Sequence, residues 1–268
     1  RFFVVQPLAT IDAEIKRPVH PGYSDTHQHV HFGVALNNIS TMSPMTDIFA
    51  SVYQNGRWDY WKYDIKPRFI RDNELRFDWE EELYFLGMRE FFAFDVKSFK
   101  FHTKEVEVID YQKPYYHVYL KPDKLSSYHP YFYNEDINGK FLIKNDLGRT
   151  NATDADYMYT YFTVPVDQPY PDGDIYVTGA FAQWKYLPEY KLRYNYQNQA
   201  YEYRILLKQG YYRYDYVFVG ANENNRFTFL EPSFYETEND YIICVYRKNL
   251  NLLVDELVGI QVVSSMKR

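Results

Sequence analysis

The sequence predicts an all-β protein made of two β-sandwich domains in tandem, and three observations carry that reading. The first is composition: 30 tyrosines and 20 phenylalanines bring aromatic content to 20%, which suits pleated, half-buried strands. The second is periodicity, because apolar and polar residues alternate in runs of five to nine, with few sustained helical patterns. The third is length: 268 residues exceed one small sandwich and suit two domains, each with its own core.

The central unit is Asp174 to Val219. Ile175 and Val177 share a strand face, Gly179-Ala180-Phe181 allows a bend, and Trp184 follows as a plug of core. Tyr201, Tyr203, Ile205 and Leu207 then alternate with Glu202 and Arg204. Beyond the tight turn Lys208-Gln209-Gly210, Tyr212, Tyr214, Tyr216 and Phe218 alternate with Arg213 and Asp215. The pair reads as an antiparallel hairpin.

From the start, Arg1-Phe2-Phe3-Val4-Val5 reads as the last strand of something upstream, and Pro7 as a linker. Val30, Phe32, Val34 and Leu36 form the buried face of a strand that turns His29 and His31 to water. Ile48 to Tyr53 is a second strand, ended by Asn55-Gly56, which favours a type I′ turn. Asp64 to Ile70 pairs with Glu74 to Trp79, and Phe91 to Val96 and Val106 to Ile109 follow. This spacing is that of an immunoglobulin-like sandwich over residues 1–112. The pattern breaks at Tyr111-Gln112-Lys113-Pro114, so a second sandwich occupies 113–268. Its strands are Tyr115 to Leu120, Phe141 to Asn145, Tyr157 to Val164, the central unit, Tyr241 to Tyr246 and Leu257 to Val263.

Charge and cysteine content exclude several roles. A formal net charge of -6 without a basic cluster argues against nucleic acid. The single cysteine, Cys244, rules out an internal disulfide and reads as a buried small hydrophobe. No run reaches the ~20 apolar residues of a spanning helix, so the chain is not expected to cross a membrane as a helix. No cofactor motif is present.

The chemistry-bearing candidates are sparse. Asp25-Thr26-His27-Gln28-His29, continued by His31, resembles the metal-binding start of an amidohydrolase barrel, which would make a hydrolase. However, i and i+2 side chains on a strand lie ~6.5 to 7 Å apart, so a third ligand does not easily follow, and the helices of such a barrel are missing. His27, His29 and His31 are therefore expected to be solvated and metal-free. Glu80-Glu81-Glu82 and the acids from Glu236 to Asp240 read as solvated loop charge. Asn134-Glu135-Asp136-Ile137-Asn138-Gly139 lacks the later acidic ligand of a calcium loop and reads as a turn. No catalytic set emerges, and a non-enzymatic role is expected.

The tyrosines say more. Tyr157, Tyr159 and Tyr161 share one face of their strand, opposite Met158, Thr160, Phe162 and Val164. Together with Trp184 they are the candidate binding residues, fit to stack on sugars or to dock on protein.

The corner Gly179-Ala180-Phe181-Ala182-Gln183-Trp184 resembles that of early-set immunoglobulin-like domains, including glycogen-binding modules; this implies a carbohydrate-binding module as the alternative function, with a glycan as ligand. A longer series resembles the plug protein family of the type IX secretion system: Gln54-Asn55-Gly56-Arg57-Trp58, Arg89-Glu90-Phe91 with Phe94-Asp95, Asp136-Ile137-Asn138-Gly139, Asp156-Tyr157, the Gly179 to Trp184 corner, Leu207-Lys208-Gln209-Gly210-Tyr211-Tyr212, Thr237-Glu238-Asn239-Asp240-Tyr241, and Val245-Tyr246-Arg247. That resemblance implies a periplasmic protein without catalytic residues or cofactor, whose partner is the outer-membrane translocon barrel that it closes. Met88-Arg89-Glu90 stands where the family usually has Gly-Asn-Glu, and Leu230-Glu231-Pro232 where it has Glu-Gly.

Overall fold

The computed structural model describes residues 5–37, 39, 41, 43–126, 128–134, 137–148, 153–220, 225–249 and 253–266. The opening strand proposed at Arg1 to Val5 lies, except for Val5, outside the described residues, as do Glu135 and Asp136 of the calcium-like loop. The protein is all-β. In chain order the strands are β1 (Ala9–Lys16), β2 (His27–Leu36), β3 (Ile48–Gln54), β4 (Trp61–Ile65), β5 (Phe69–Arg71), β6 (Glu74–Phe77), β7 (Tyr84–Leu86), β8 (Phe92–Asp95), β9 (Val106–Gln112), β10 (Tyr115–Leu120), β11 (Phe141–Ile143), β12 (Tyr157–Pro165), β13 (Gly173–Thr178), β14 (Arg193–Asn195), β15 (Ala200–Lys208), β16 (Gly210–Gly220), β17 (Asn225–Arg226), β18 (Asp240–Asn249) and β19 (Val254–Ser264). Among the described residues, one short helix, α1 (Pro44–Asp47), and two single 3₁₀ turns at Ala180–Ala182 and Pro188–Tyr190 interrupt them.

The chain forms two compact units, and they are not consecutive. The first comprises residues up to Met88 together with Ser233 onward, and the second is Arg89–Pro232. This corrects the tandem division at 112/113, which falls inside an antiparallel hairpin: Tyr115 pairs with Gln112 and Tyr116 with Tyr111. The two C-terminal strands, expected in a second domain, return to the first, where β18 lies between β3 and β19. Strand alternation specifies which face is buried; it does not specify which neighbour a strand will choose.

In the first unit, one sheet runs β1-β2-β6-β5 with β7 also on β2, and the other runs β19-β18-β3-β4. Val30, Phe32, Val34, Leu75 and Phe77 from the first pack with Ile48, Val52, Tyr241, Ile243 and Val245 from the second. Asn55 and Gly56 both take positive φ, 53° and 65°, as the turn expected there requires. Cys244 is buried and unbridged.

In the second unit, a sheet ordered β14-β15-β12-β10-β9 faces one built on β16, which β8, β11, β13 and β17 flank. The expected hairpin between β15 and β16 is not formed. β15 pairs with β12 and β14, whereas β16 pairs with β11, β13, β8 and β17, so the turn at Gln209 carries the chain from one sheet to the other. The reason lies in the shared core: Tyr201 and Leu207 of β15 and Tyr212, Tyr214, Tyr216 and Phe218 of β16 point into the same apolar interior. Two strands whose buried faces look at each other must stack across a sandwich; they cannot lie side by side in one sheet.

Candidate docking surface

β12 buries alternate residues completely. Met158, Thr160 and Val164 have no exposed area and Phe162 has 1%. The pleat therefore sends Tyr157, Tyr159 and Tyr161 to the opposite, outer face, where Tyr157 is 48% exposed and the other two are half-buried. Register decides their neighbours. On one side β10 runs parallel to β12 and sets His117 beside Tyr159 and Tyr119 beside Tyr161. On the other, antiparallel β15 sets Lys208, Leu206 and Arg204 beside Tyr157, Tyr159 and Tyr161 in turn.

The outcome is a ribbed aromatic face. Tyr119 and Tyr161 stack with centroids 4.3 Å apart, Tyr115 meets Tyr159 edge-on at 5.4 Å, and His117 lies 5.3 Å from Tyr159. His117 Nδ1 and the Tyr161 hydroxyl share a hydrogen bond of 2.8 Å, and the Arg204 guanidinium sits 4.7 Å above the Tyr159 ring. The Tyr161 phenol also raises Arg204 above its usual range, while burial, and then the neighbouring Tyr161, pushes the Tyr119 phenol up. Cross-strand stacking holds these rings in one orientation, so little side-chain entropy remains to be lost on contact with another molecule. The surface offers ring faces, phenolic hydroxyls and one guanidinium, a set suited to recognition.

Trp184 does not belong to this face, which corrects its place among the binding residues. It follows β13 on the opposite sheet and is only 6% exposed. Its ring lies 5.8 Å from Phe91 and covers Gly139 so closely that a β-carbon there would meet the Trp184 ring at 2.3 Å. An early-set type of sugar platform built on Trp184 has no open ring to offer. Sequence reading missed Tyr115, His117, Tyr119 and Arg204; the alternation in Tyr115 to Leu120 was visible, but the parallel pairing that places β10 beside β12 was not.

The histidine run sits in the other unit and is more buried than expected: His29 is 3% exposed. Its Nε2–H donates to the Trp79 carbonyl at 3.0 Å, which leaves Nδ1 to accept from His31 Nε2–H at 2.8 Å. Both nitrogens of His29 are thus used, and among the described residues no group of three His, Cys, Asp or Glu could hold a metal ion. Burial, and then His31, pulls His29 down to about 4; burial also lowers His27 and His31. Because the folded state favours the neutral ring, its stabilisation is present above the unfolded value near 6.5 and is lost as pH falls toward 4. Lowering the pH from 7 to 5 is expected to cost about 1 to 2 kcal/mol at this site. Urea denaturation at the two pH values checks it, with a smaller loss expected in His29→Gln; an equal loss in both proteins would refute the assignment. A concavity of about 570 Å³ beside His31 is lined by Glu14, Lys16, Arg76 and Asp78 among others. Lys16 pairs with Glu14 and Arg76 with Glu74, so its charge favours no single class of ligand.

No model of a known protein family matches the sequence, and no curated protein does. The chain is similar to a hypothetical protein from Parabacteroides merdae. That protein's crystal structure, at 2.30 Å resolution, superposes with a TM-score of 0.91 at 31% identity over 97% of this chain. The chain spans 66% of its length.

Proposed function

We propose that this chain is a non-enzymatic docking protein that seats its tyrosine-ribbed sheet on a partner. Following the resemblance in the sequence, the partner would be the outer-membrane translocon barrel of the type IX secretion system, and the site of action the periplasm. Closing a translocon needs shape and reversible contact, and no bond has to be made or broken. The observation that carries the docking reading is the outer face of β12 with its neighbours: Tyr157 is 48% exposed, and Tyr119, Tyr159, Tyr161 and Arg204 are locked together by stacking and cation–π contact. Tyrosine and arginine are enriched among the residues that dominate binding energy at protein interfaces. No helix among the described residues is long and apolar enough to cross a membrane.

The test is association with the barrel. The chain is expected to co-purify with the translocon in mild detergent, and Tyr159→Ala with Tyr161→Ala is expected to weaken the complex by about 30-fold or more. Failure of the intact chain to associate would overturn the translocon assignment. Undiminished association of the double variant would move the contact off this face.

A further inference from the structure

We propose that the tyrosine sheet receives an acidic polypeptide segment, in extended form, on the arginines of β14 and β15. This rests on the docking reading and names the chemistry of the partner. Arg204 is exposed on β15, and Arg193 is exposed on β14, the strand at the margin of that sheet. Register puts both on the outer face. Thr163 continues the outward set of β12, Glu202 lies opposite Thr163, and Arg193 lies opposite Glu202; Arg204 lies opposite Tyr161, two residues along.

Pairing sets these two apart. Every other arginine whose side chain the structure describes either meets a carboxylate or, as Arg213 does, donates to a backbone carbonyl from the interior. Among the described residues neither Arg193 nor Arg204 has a carboxylate partner. The one outward acid on β12, β14 and β15 is Glu202, and it is engaged elsewhere: its Oε2 accepts from Asn195 Nδ2 at 3.0 Å and its Oε1 from Asn198 Nδ2 at 2.6 Å. In a chain of net charge -6, the arginines left without an acid therefore lie on the sheet that carries the aromatic face.

Arg204 is held ready for a carboxylate. Its guanidinium lies 4.7 Å from the Tyr159 ring and 6.0 Å from the Tyr161 ring, which restricts the side chain before any partner arrives. A guanidinium has five N–H donors, so its contact with the Tyr161 hydroxyl leaves enough of them for a bidentate carboxylate. Spacing points to the form of the partner. Diagonal neighbours on adjacent antiparallel strands stand roughly 7 to 8 Å apart, and alternate residues of an extended chain roughly 6.5 to 7 Å. A segment with an acid at every second residue thus reaches both arginines at once. Because the whole chain is negative and repels such a segment at a distance, the attraction must come from these local contacts.

The experiment titrates the 268-residue chain with a short peptide of alternating glutamate and serine, with its glutamine counterpart, and with tetragalacturonate, which carries carboxylates on sugar rings. Calorimetry and tyrosine ring NMR signals report binding. The glutamate peptide is expected to bind about 10-fold more tightly than either control, and less tightly as salt rises. Arg204→Gln and Arg193→Gln are each expected to weaken it by about 3- to 10-fold, Arg204→Lys by less than Arg204→Gln, and Arg71→Gln, which removes an equal charge from the other unit, not at all. Melting temperatures are expected to stay at the parent value because both side chains are exposed; should Arg204→Gln melt early, Arg193→Gln decides alone. Equal affinity for the glutamine peptide, a preference for the galacturonate, no binding of the glutamate peptide in the millimolar range, or unchanged binding in the folded arginine variants would each overturn the proposal. Peptide binding without translocon association would remove the translocon and keep the acidic partner. Association weakened by Tyr159→Ala with Tyr161→Ala, yet untouched by Arg204→Gln with Arg193→Gln, would keep the docking face and remove the acidic partner.

Discussion

Gly87→Ala is expected to cost the first unit about 3 to 5 kcal/mol and to lower its melting temperature by roughly 10 °C or more. A β-carbon at Gly87 would stand 1.8 Å from the Phe234 carbonyl oxygen and 2.7 Å from its carbon. Both are backbone atoms, so no rotamer change relieves the clash. The two strands of chain are also tied on either side. Gly87 N–H donates to the Thr26 carbonyl at 2.9 Å, the Gly87 carbonyl accepts from Asn239 Nδ2 at 2.8 Å, and Phe234 N–H donates to the Met88 carbonyl at 2.8 Å. Separation by the ångström or more that the methyl requires would break several of these at once.

Asn239 raises the stakes. It is 1% exposed, donates to Gln28 Oε1 as well, and accepts from Asn55 Nδ2 at 2.7 Å, so one buried polar network joins Gly87, Gln28 and Asn55. A network of this kind is stabilising only while every member is satisfied. Thermal denaturation of the purified variant gives the answer, and a midpoint within about 2 °C of the parent would mean that the close approach is relieved in some way the backbone here does not suggest.

How far the sequence foretold this arrangement varies from strand to strand. The outward set Tyr157, Tyr159 and Tyr161 was legible because nine residues alternate without a break, and a period of two leaves a single choice of buried face. The burial of Cys244 and the Asn55-Gly56 turn were legible for equally local reasons. Partners were not. β15 and β16 look like a hairpin in sequence, yet Gln209 takes the chain between sheets; its side chain donates to the Lys97 carbonyl at 3.0 Å, and its N–H to the Asp156 carbonyl at 2.8 Å. β1 was passed over although Ile11, Ala13 and Ile15 alternate with Asp12, Glu14 and Lys16, because charged residues hid a strand that pairs with β2 along eight residues.

Met88 adds a subtler case. Its φ is 59°, a region where glycine is at ease and other residues are strained, and it stands where the family resembled in sequence usually has glycine. The departure is accommodated by partners: Met88 N–H donates to Ser233 Oγ at 2.9 Å, and its sulfur accepts from Arg57 Nη1 at 3.3 Å. A substitution that looks like a loop change thus lies at the point where the chain leaves the first unit, beside the same close approach that makes Gly87 irreplaceable.

In the second unit the largest effect is expected from Asp123→Ala, about 3 kcal/mol or more of lost stability. Asp123 lies after β10, anchored by its own N–H to the Thr163 carbonyl of β12 at 2.9 Å. Its Oδ2 accepts from the hydroxyls of both Tyr214 and Tyr216, at 2.8 and 2.7 Å. Those tyrosines belong to β16 and are 2% exposed, so the carboxylate links the sheet that carries the aromatic face to the sheet across the core. Alanine would strand two buried phenols at once, and each unsatisfied hydroxyl costs about 1 to 3 kcal/mol. Asparagine keeps an acceptor oxygen and is expected to lose less than half as much. Removing the phenols together with the acid, as Asp123→Leu with Tyr214→Phe and Tyr216→Phe, is expected to recover most of the loss, because nothing polar is then left without a partner. Burial is the main cause that raises the Asp123 carboxyl above its ordinary range, against the lowering effect of the two phenols. Its stabilisation is therefore full below the unfolded carboxyl value and declines as pH rises through the folded one, opposite in sign to the histidine contribution of the first unit. Urea midpoints of parent and Asp123→Ala across this range should converge as pH rises. Parallel curves would show that burial does not raise this carboxyl, and a triple variant no more stable than Asp123→Ala would show that the two phenols do not depend on it.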